Sequence, residues 1–193
     1  MVSRGYEDRR LKLLASHAVG RSVLDIGYAH WPNPHLGRFY RVGLDLNHPS
    51  ADRATRYEEE LIGDVANVFD LVNGRRFDTI ICGELIEHLE NPYQLLRDLR
   101  PLLSEAGRLL VSTPNPLALP VVVAEIFRLR RFFYTPEHLY YFLPRWVERL
   151  FEATGYEVVG LRPVGLWTPF GAFPICPIAL SYQVIYDGRV KPA

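Results

Sequence analysis

The sequence predicts an α/β fold, a doubly wound sheet that is mostly parallel and finishes with an antiparallel strand. Three observations carry this. Short aliphatic strands alternate with amphipathic helical stretches through residue 112, the pattern of a parallel sheet with helices on both faces. The clearest strand, in "RRFDTIICG", is apolar on both faces, as the centre of a parallel sheet requires. The tail holds two strands with no obvious helix between them, which points to an antiparallel finish.

The elements follow in order. "EDRRLKLLASHAV" places Leu11, Leu13, Leu14 and Val19 on a helical period, with Gly20 as its stop, so residues 1–20 form an N-terminal helix. "RSVLDIG" is a strand ending in Asp25 and Gly27, "YRVGLDLN" a second ending in Asp45, and "ELIGD" a weaker third ending at Asp64. The fourth strand, "RRFDTIICG", leads into "GELIEHLENP", where Asn91 and Pro92 supply the N-cap and first-turn proline for "PYQLLRDLRPLL". "GRLLVSTPNP" is a fifth strand, and 117–133 is helical in period but begins irregularly at Pro120. A helix over "PRWVERLFEATG" closes at Gly155, and "YEVVGLRPV" and "IALSYQVIYDG" are the last strands.

At 193 residues, 48% of them hydrophobic, the chain predicts a single domain over 1–193 with a full core. Twenty-two basic residues balance twenty-two acidic ones, which argues against a nucleic-acid partner because no general attraction to phosphate exists. Cys82 and Cys176 are too few for a disulfide framework and lack metal-ligand spacing. The charged start and the absence of a long apolar run favour a cytoplasmic setting.

In a doubly wound sheet ligands bind at the carboxyl ends of the strands, which is where this chain puts Asp25, Asp45, Asp64 and Glu84. One aspartate there is most simply a turn residue. Four consecutive strands ending in acids point instead to a ligand bearing adenosine. Asp45, about 20 residues after Asp25, suits ribose hydroxyls, and Asp64 suits an exocyclic amine.

"VLDIG", "VGLDLN", "GDVANV", "FDTIICGELIEHLENP" and "GRLLVSTPNP", in this order and spacing, resemble the successive motifs of class I S-adenosylmethionine (SAM)-dependent methyltransferases over roughly residues 20–160. The resemblance implies a Rossmann-like, seven-stranded sheet with a reversed last strand, and a SAM cofactor. Carried over by position, Asp25, Gly27 and Ala29 line the methionine end, Asp45 holds the ribose, and Asp64 with Val65 meets the adenine. Glu84 and Leu85 would border the cofactor near its methyl group. One departure stands out: "GYAHWPNPHLG" carries Ala29 and Trp31 where the family has further glycines, so the loop is reshaped and the helix after it must be short, since the second strand begins near Tyr40.

If residues 84–90 form a helical turn, at about 100° per residue Glu87 and His88 flank Glu84 on one face while Leu85, Ile86 and Leu89 occupy the other. Two carboxylates and an imidazole suit Mg²⁺, Mn²⁺ or Zn²⁺. His17, His30, His35 and His48 have no acidic partner nearby in sequence, whereas His138 lies in the segment crossing above the strand ends. The pattern resembles metal-assisted methyltransferases of two kinds, the ubiquinone-pathway O-methyltransferases and the small-RNA 3′-terminal 2′-O-methyltransferases. That resemblance implies Glu84, Glu87, His88 and His138 as ligands. Without a metal, the catalytic candidates are Glu84, beside the methyl group, and His88, as a base or an orienting group.

Residues 114–142 are dense in aliphatic and aromatic side chains and carry Arg128, Arg130 and Arg131. This insertion is expected to roof the acceptor pocket, with Tyr134, Tyr140, Tyr141 and Phe142 placed to stack on a ring, and its cationic amphipathic surface suits peripheral membrane contact. "GLWTPFGAFPICP" is a second apolar loop, part of the same pocket or a homodimer contact. The expected function is methyl transfer from SAM to a small-molecule acceptor, by O-methylation of an apolar or aromatic compound. The alternatives are RNA 3′-terminal 2′-O-methylation and a non-catalytic binding subunit of the same fold.

Overall fold

The computed structural model describes residues 4–50, 56–129, 137–168, 171–173 and 175–192. Seven strands form one sheet: β1 (Ser22–Ile26), β2 (Tyr40–Asp45), β3 (Glu59–Ile62), β4 (Phe77–Gly83), β5 (Leu103–Pro114), β6 (Tyr156–Pro163) and β9 (Gln183–Val190). Their order is β3-β2-β1-β4-β5-β9-β6. Parallel pairing runs from β3 to β5, and β9 is antiparallel to both β5 and β6. The seven-stranded sheet with one reversed strand is thus as the motif order implied. A separate two-stranded hairpin, β7 (Leu166–Thr168) with β8 (Gly171–Phe173), occupies the stretch expected to be an apolar loop.

Side chains alternate across the sheet with period two, and this sorts the core into two layers. Leu24, Ile26, Val42, Leu44, Ile80, Cys82, Leu109 and Val111 face one way. They meet Leu95, Leu96 and Leu99 of α3 (Pro92–Leu99) and Val147, Leu150 and Phe151 of α5 (Pro144–Ala153). Val23, Ile81, Leu110 and Ile185 face the other way, under Tyr6, Leu14 and Ala15 of α1 (Arg4–His17). Asn91 caps α3 as expected, its Oδ1 accepting from the Gln94 N–H at 3.0 Å. Helix α1 ends at His17, short of Gly20.

Several expectations are corrected. No α-helix follows the glycine turn: the chain makes only a 3₁₀ turn at Pro34–Leu36 before β2 begins at Tyr40. A one-turn helix, α2 (Val68–Leu71), follows β3. Among the described residues of the expected helical stretch 117–133, α4 covers Leu119–Ile126 and is ended by Arg128, which takes a left-handed φ of 51°; residues 130–133 lie outside the described residues. Within "IALSYQVIYDG" the strand begins at Gln183, after a 3₁₀ turn at Ile178–Leu180. Arg130, Arg131 and Tyr134 lie outside the described residues. Among those described, no helix is long and apolar enough to cross a membrane.

Candidate functional site

The strand order reverses between β1 and β4, and the carboxyl ends of the strands open there onto two cavities. One, of about 540 Å³, is lined by Asp45, Gly63, Asp64, Val65, Leu85 and Leu89, among others. The other, of about 590 Å³, is lined by Glu7, Arg10, Asp25, Glu84, His138 and Gln183, among others. Gly27 and His88 border both, so the two form one continuous groove.

The first cavity gathers the residues expected to bind adenosine. Asp45 ends β2 and uses its carboxylate to fix the glycine turn, accepting from the Ala29 N–H at 2.9 Å and the Asn47 N–H at 3.1 Å. Asp64 caps a 3₁₀ turn at Val65–Asn67, its Oδ1 accepting from the Ala66 N–H at 2.9 Å. Each carboxylate has about four lone-pair positions, so both retain accepting capacity. Gly27 sits at φ +77°, a conformation that a side chain would strain. The reshaped loop then buries Tyr28 over Gly43, where an added Cβ would approach the ring to 2.5 Å. Tyr57 packs against the Tyr28 ring at a tilt, with ring centroids 4.7 Å apart.

The second cavity is built from side chains on the α1 face of the sheet. The same alternation that buries Val23 and Ile81 puts Asp25, Gly83, Ser112 and Gln183 on that face at the carboxyl edge. Helix α1 presents Glu7, Arg10, Leu11 and Leu14 to them as one buried stripe. Arg10 Nε donates to Glu7 Oε2 at 2.8 Å and Nη1 to Ser112 Oγ at 3.2 Å. Ser112 in turn donates to Glu84 Oε1 at 2.9 Å, and Gln183 Nε2 donates to Glu84 Oε2 at 2.7 Å. Burial pushes the Glu84 carboxyl up to about 7, against the opposing pull of Arg10. Asp25 is likewise pushed up to about 7, chiefly by burial, while the hydrogen bond from Tyr57 Oη at 2.6 Å and the charge of Arg10 hold it down.

The turn after β4 departs from the expected geometry. Residues 84–90 are not one helical turn: Glu84 is left-handed at φ 53°, and a 3₁₀ turn covers only Ile86–His88. Glu84 therefore points back beneath the edge toward Ser112 and Gln183 instead of sharing a face with Glu87. The aliphatic half of the expectation stands, with Ile86 buried and Leu85 and Leu89 packed against the core. Glu87, His88 and His138 do converge, with one ligand atom from each lying within 4.8 Å of the others. Glu84 is not part of that group.

The roof segment is latched onto this turn: the N–H groups of Leu139 and Tyr140 donate to the Glu87 carbonyl at 2.8 and 3.2 Å. His88 Nδ1 lies 3.1 Å from the Glu137 carbonyl, which can only accept, so the contact calls for the proton on Nδ1. The His88 and His138 rings meet edge to face at 4.7 Å. Burial, and then the neighbouring His88, lowers the His138 pKa. Glu87 is 1% exposed, and neither carboxylate oxygen has a hydrogen-bond partner among the described residues. Burial and the nearby Glu84 raise its pKa well above the usual carboxylate range.

Of the remaining histidines, two have acidic partners brought in from distant sequence. His35 Nε2 lies 2.8 Å from Asp8 Oδ1, and His48 Nδ1 lies 3.5 Å from Glu60. Of the roof aromatics, Tyr141 lines a side pocket with Val121 and His138, whereas Tyr140 and Phe142 turn toward the Glu90 carbonyl and the core. Sequence reasoning missed Glu7, Arg10, Tyr57, Tyr182 and Gln183. For Glu7 and Arg10 a signal existed, since they share the helical stripe of Leu11 and Leu14.

The fold is similar to that of solved methyltransferases. A SAM-dependent methyltransferase from Archaeoglobus fulgidus superimposes with a TM-score of 0.70 at 17% identity, covering 96% of this chain and 94% of that one. The CcbJ methyltransferase of Streptomyces caelestis gives 0.67 at 16% identity, covering 98% and 97%. The 1,6-didemethyltoxoflavin-N1-methyltransferase of Burkholderia thailandensis, solved with S-adenosylhomocysteine, gives 0.67 at 17%, covering 96% and 78%. At these identities the likeness speaks for the fold. A ubiquinone biosynthesis O-methyltransferase of Glaesserella parasuis is 32% identical over 62 residues, 32% of this chain and only 26% of that protein's length. Residues 2–161 match the family model described as a methyltransferase domain. With that match spanning most of the chain, the protein belongs to the methyltransferase-domain family.

Proposed function

We propose that the chain binds SAM along the groove and transfers its methyl group to an oxygen of a small, apolar or aromatic acceptor. The observation that carries this reading is the groove itself: acids at successive strand ends floor two cavities that meet at Gly27 and His88. In this reading Asp45 takes the ribose hydroxyls, Asp64 and Val65 the adenine edge with Leu85 in the same cavity, and Asp25 and Gly27 the methionine end, with Ala29 held beside them by its N–H bond to Asp45. The acceptor then occupies the space bounded by Trp31, Pro114, His138 and Tyr182, whose aromatic and apolar surfaces suit a planar compound. Two of the similar proteins carry names with small-molecule substrates, which supports the acceptor class.

The cofactor supplies an electrophilic methyl, so the protein's task is chiefly to align donor and acceptor. With no cation bound, His88, which borders both cavities, would serve as the base that takes the acceptor proton, and Glu84 shapes the wall beside it; with a cation bound, the same imidazole is a ligand instead. The Glu87–His88–His138 group fits a divalent cation, because its donors are one carboxylate and two imidazoles and because Glu87 and His138 Nδ1 have no partner among the described residues. A bound cation would lower the pKa of an accepting hydroxyl. Glu84, already engaged by Ser112 and Gln183, is not in the proposed ligand set.

RNA methylation is disfavoured by the net charge of zero and by the single Arg or Lys, Arg10, among the described residues lining the second cavity. Titration calorimetry with SAM and S-adenosylhomocysteine tests the proposal. Micromolar binding of both, weakened in Asp45→Ala, is the expected result. Folded protein that binds neither ends the cofactor reading, and binding without transfer to any acceptor turns it toward a non-catalytic subunit.

A further inference from the structure

We infer that Tyr57 is a positioning residue for the cofactor's amino-acid end, its one hydroxyl fixing Asp25 and the reshaped loop after β1 as a unit. This rests on the cofactor reading above, and it adds a residue that lies outside every strand-end motif. Tyr57 stands just before β3, is 7% exposed, and reaches past β2 to Asp25 of β1. The Asn33 N–H can only donate, so Tyr57 Oη accepts there at 3.0 Å, and its single proton goes to Asp25 Oδ2 at 2.6 Å.

The rest of the unit is held as firmly. Asn33 is buried, donates from Nδ2 to the Leu11 carbonyl of α1 at 2.9 Å, and accepts at Oδ1 from the His35 N–H at 3.0 Å. The Tyr57 ring packs on Tyr28, and the Arg41 guanidinium lies 5.3 Å from its centroid, itself gripped by both oxygens of Glu58. Asp25, Tyr28 and Asn33 line the second cavity, and Tyr57 is not among the described residues that do. The hydroxyl therefore shapes the methionine end through its neighbours.

The same bond acts on charge. A hydroxyl donated to a carboxylate favours the ionised form, which is the form that pairs with the ammonium of the amino-acid end. The groups facing Asp25 are Arg10 from α1, Tyr28 from the loop, Asp45 of β2, Tyr57 itself and the Cys82 thiol of β4. Burial pushes Asp25 up to about 7, opposed first by the Tyr57 hydroxyl and then by Arg10. Glu84, in the same cavity, is pushed into the same range, so the test has to single out Asp25.

The test is calorimetry from pH 6 to pH 8 with S-adenosylhomocysteine and with 5′-methylthioadenosine, which lacks the amino-acid end. Tyr57→Phe should weaken the first about 10-fold near pH 7, the worth of one charge-assisted hydrogen bond, and leave the second unchanged. The loss should fade toward pH 8 as Asp25 ionises without help. In an Asp25→Asn background, where no charge is left to tune, Tyr57→Phe should cost less than about twofold. A loss shared equally by both probes, or undiminished in the Asp25→Asn background, makes Tyr57 a packing residue and overturns the inference, as does no loss at all. Wild-type protein gives a check that needs no variant: its preference for S-adenosylhomocysteine over methylthioadenosine should decline below about pH 7, and a flat profile overturns the inference too. Failure of wild-type protein to bind either probe would instead remove the cofactor reading on which the inference rests.

Discussion

Glu84 and Glu87 stand three residues apart on one turn, yet their carboxylates meet opposite environments. Glu84 accepts from Ser112 and Gln183 and lies beside a network with Arg10. Glu87 is buried with no hydrogen-bond partner for either oxygen among the described residues. The left-handed backbone at Glu84 makes the difference, turning one side chain under the sheet edge and leaving the other above it beside His138. A buried carboxylate with its donors in place belongs to the fold. One without them is stable only if neutral or if something arrives to pair with it. Glu84 is thus a finished part of the groove wall, and Glu87 is the carboxyl on which the proposed cation would depend.

The largest effect expected from this contrast is on Glu84. Glu84→Ala leaves the Gln183 amide and the Ser112 hydroxyl without their acceptor, and leaves Arg10 with one acid fewer. The loss should be about 3 kcal/mol, or roughly 6–12 °C in Tm for a chain of this size. Thermal unfolding of the metal-free protein measures it. A loss below about 1 kcal/mol, the median worth of an exposed pair, would mean that the network is no more than surface pairing.

Glu87→Gln should behave in the opposite way. In metal-free protein, where burial already favours the protonated Glu87, it exchanges one neutral group for another of the same shape and removes the cost of taking up a proton on folding, so stability should hold or rise. In wild-type protein, Mn²⁺ at about 100 times its dissociation constant should add about 2.7 kcal/mol, and Glu87→Gln or His138→Ala should abolish the gain. If Glu87→Gln costs as much as Glu84→Ala and Mn²⁺ shifts nothing, the two carboxylates are alike and the cation assignment fails.

The strands were legible because their signals are local. Period-two burial, strand-end acids and the Asn91–Pro92 helix start each depend on a few adjacent residues, and β1, β2, β4 and α3 formed where these signals lie. The strand-end acids were legible too, since parallel register brings Asp25, Asp45 and Asp64 to one edge without further information. The conformation of the Glu84 turn was not. A helical phase assumes regular backbone, and a single left-handed residue at φ 53° resets it. Nor could pairings across long separations be read, such as Gln183 with Glu84 or Tyr57 with Asp25, because only the closed sheet brings them together.

Asp25 stands between the two extremes, with one hydrogen bond, from Tyr57, where Glu84 has two and Glu87 none. The charged and titratable groups that act on it are Arg10 from α1, Tyr57 before β3 and Asp45 at the end of β2. Its pKa is raised from an ordinary 3.8 to about 7, first by burial, so between these values the folded state holds a proton that the unfolded chain has released. Its contribution to stability is then present in full below pH 3.8 and lost as pH rises toward 7, with a slope of at most about 1.4 kcal/mol per pH unit. Asp25→Asn should remove that slope, becoming relatively more favourable as pH rises. Tyr57→Phe should extend the slope to higher pH, because the hydrogen bond it deletes is one that favours the ionised form. Urea unfolding from pH 5 to pH 8 measures both differences against wild type. If Asp25→Asn instead leaves the wild-type pH dependence intact, Asp25 is ionised and satisfied in the fold, and it belongs with Glu84 as a finished part of the wall.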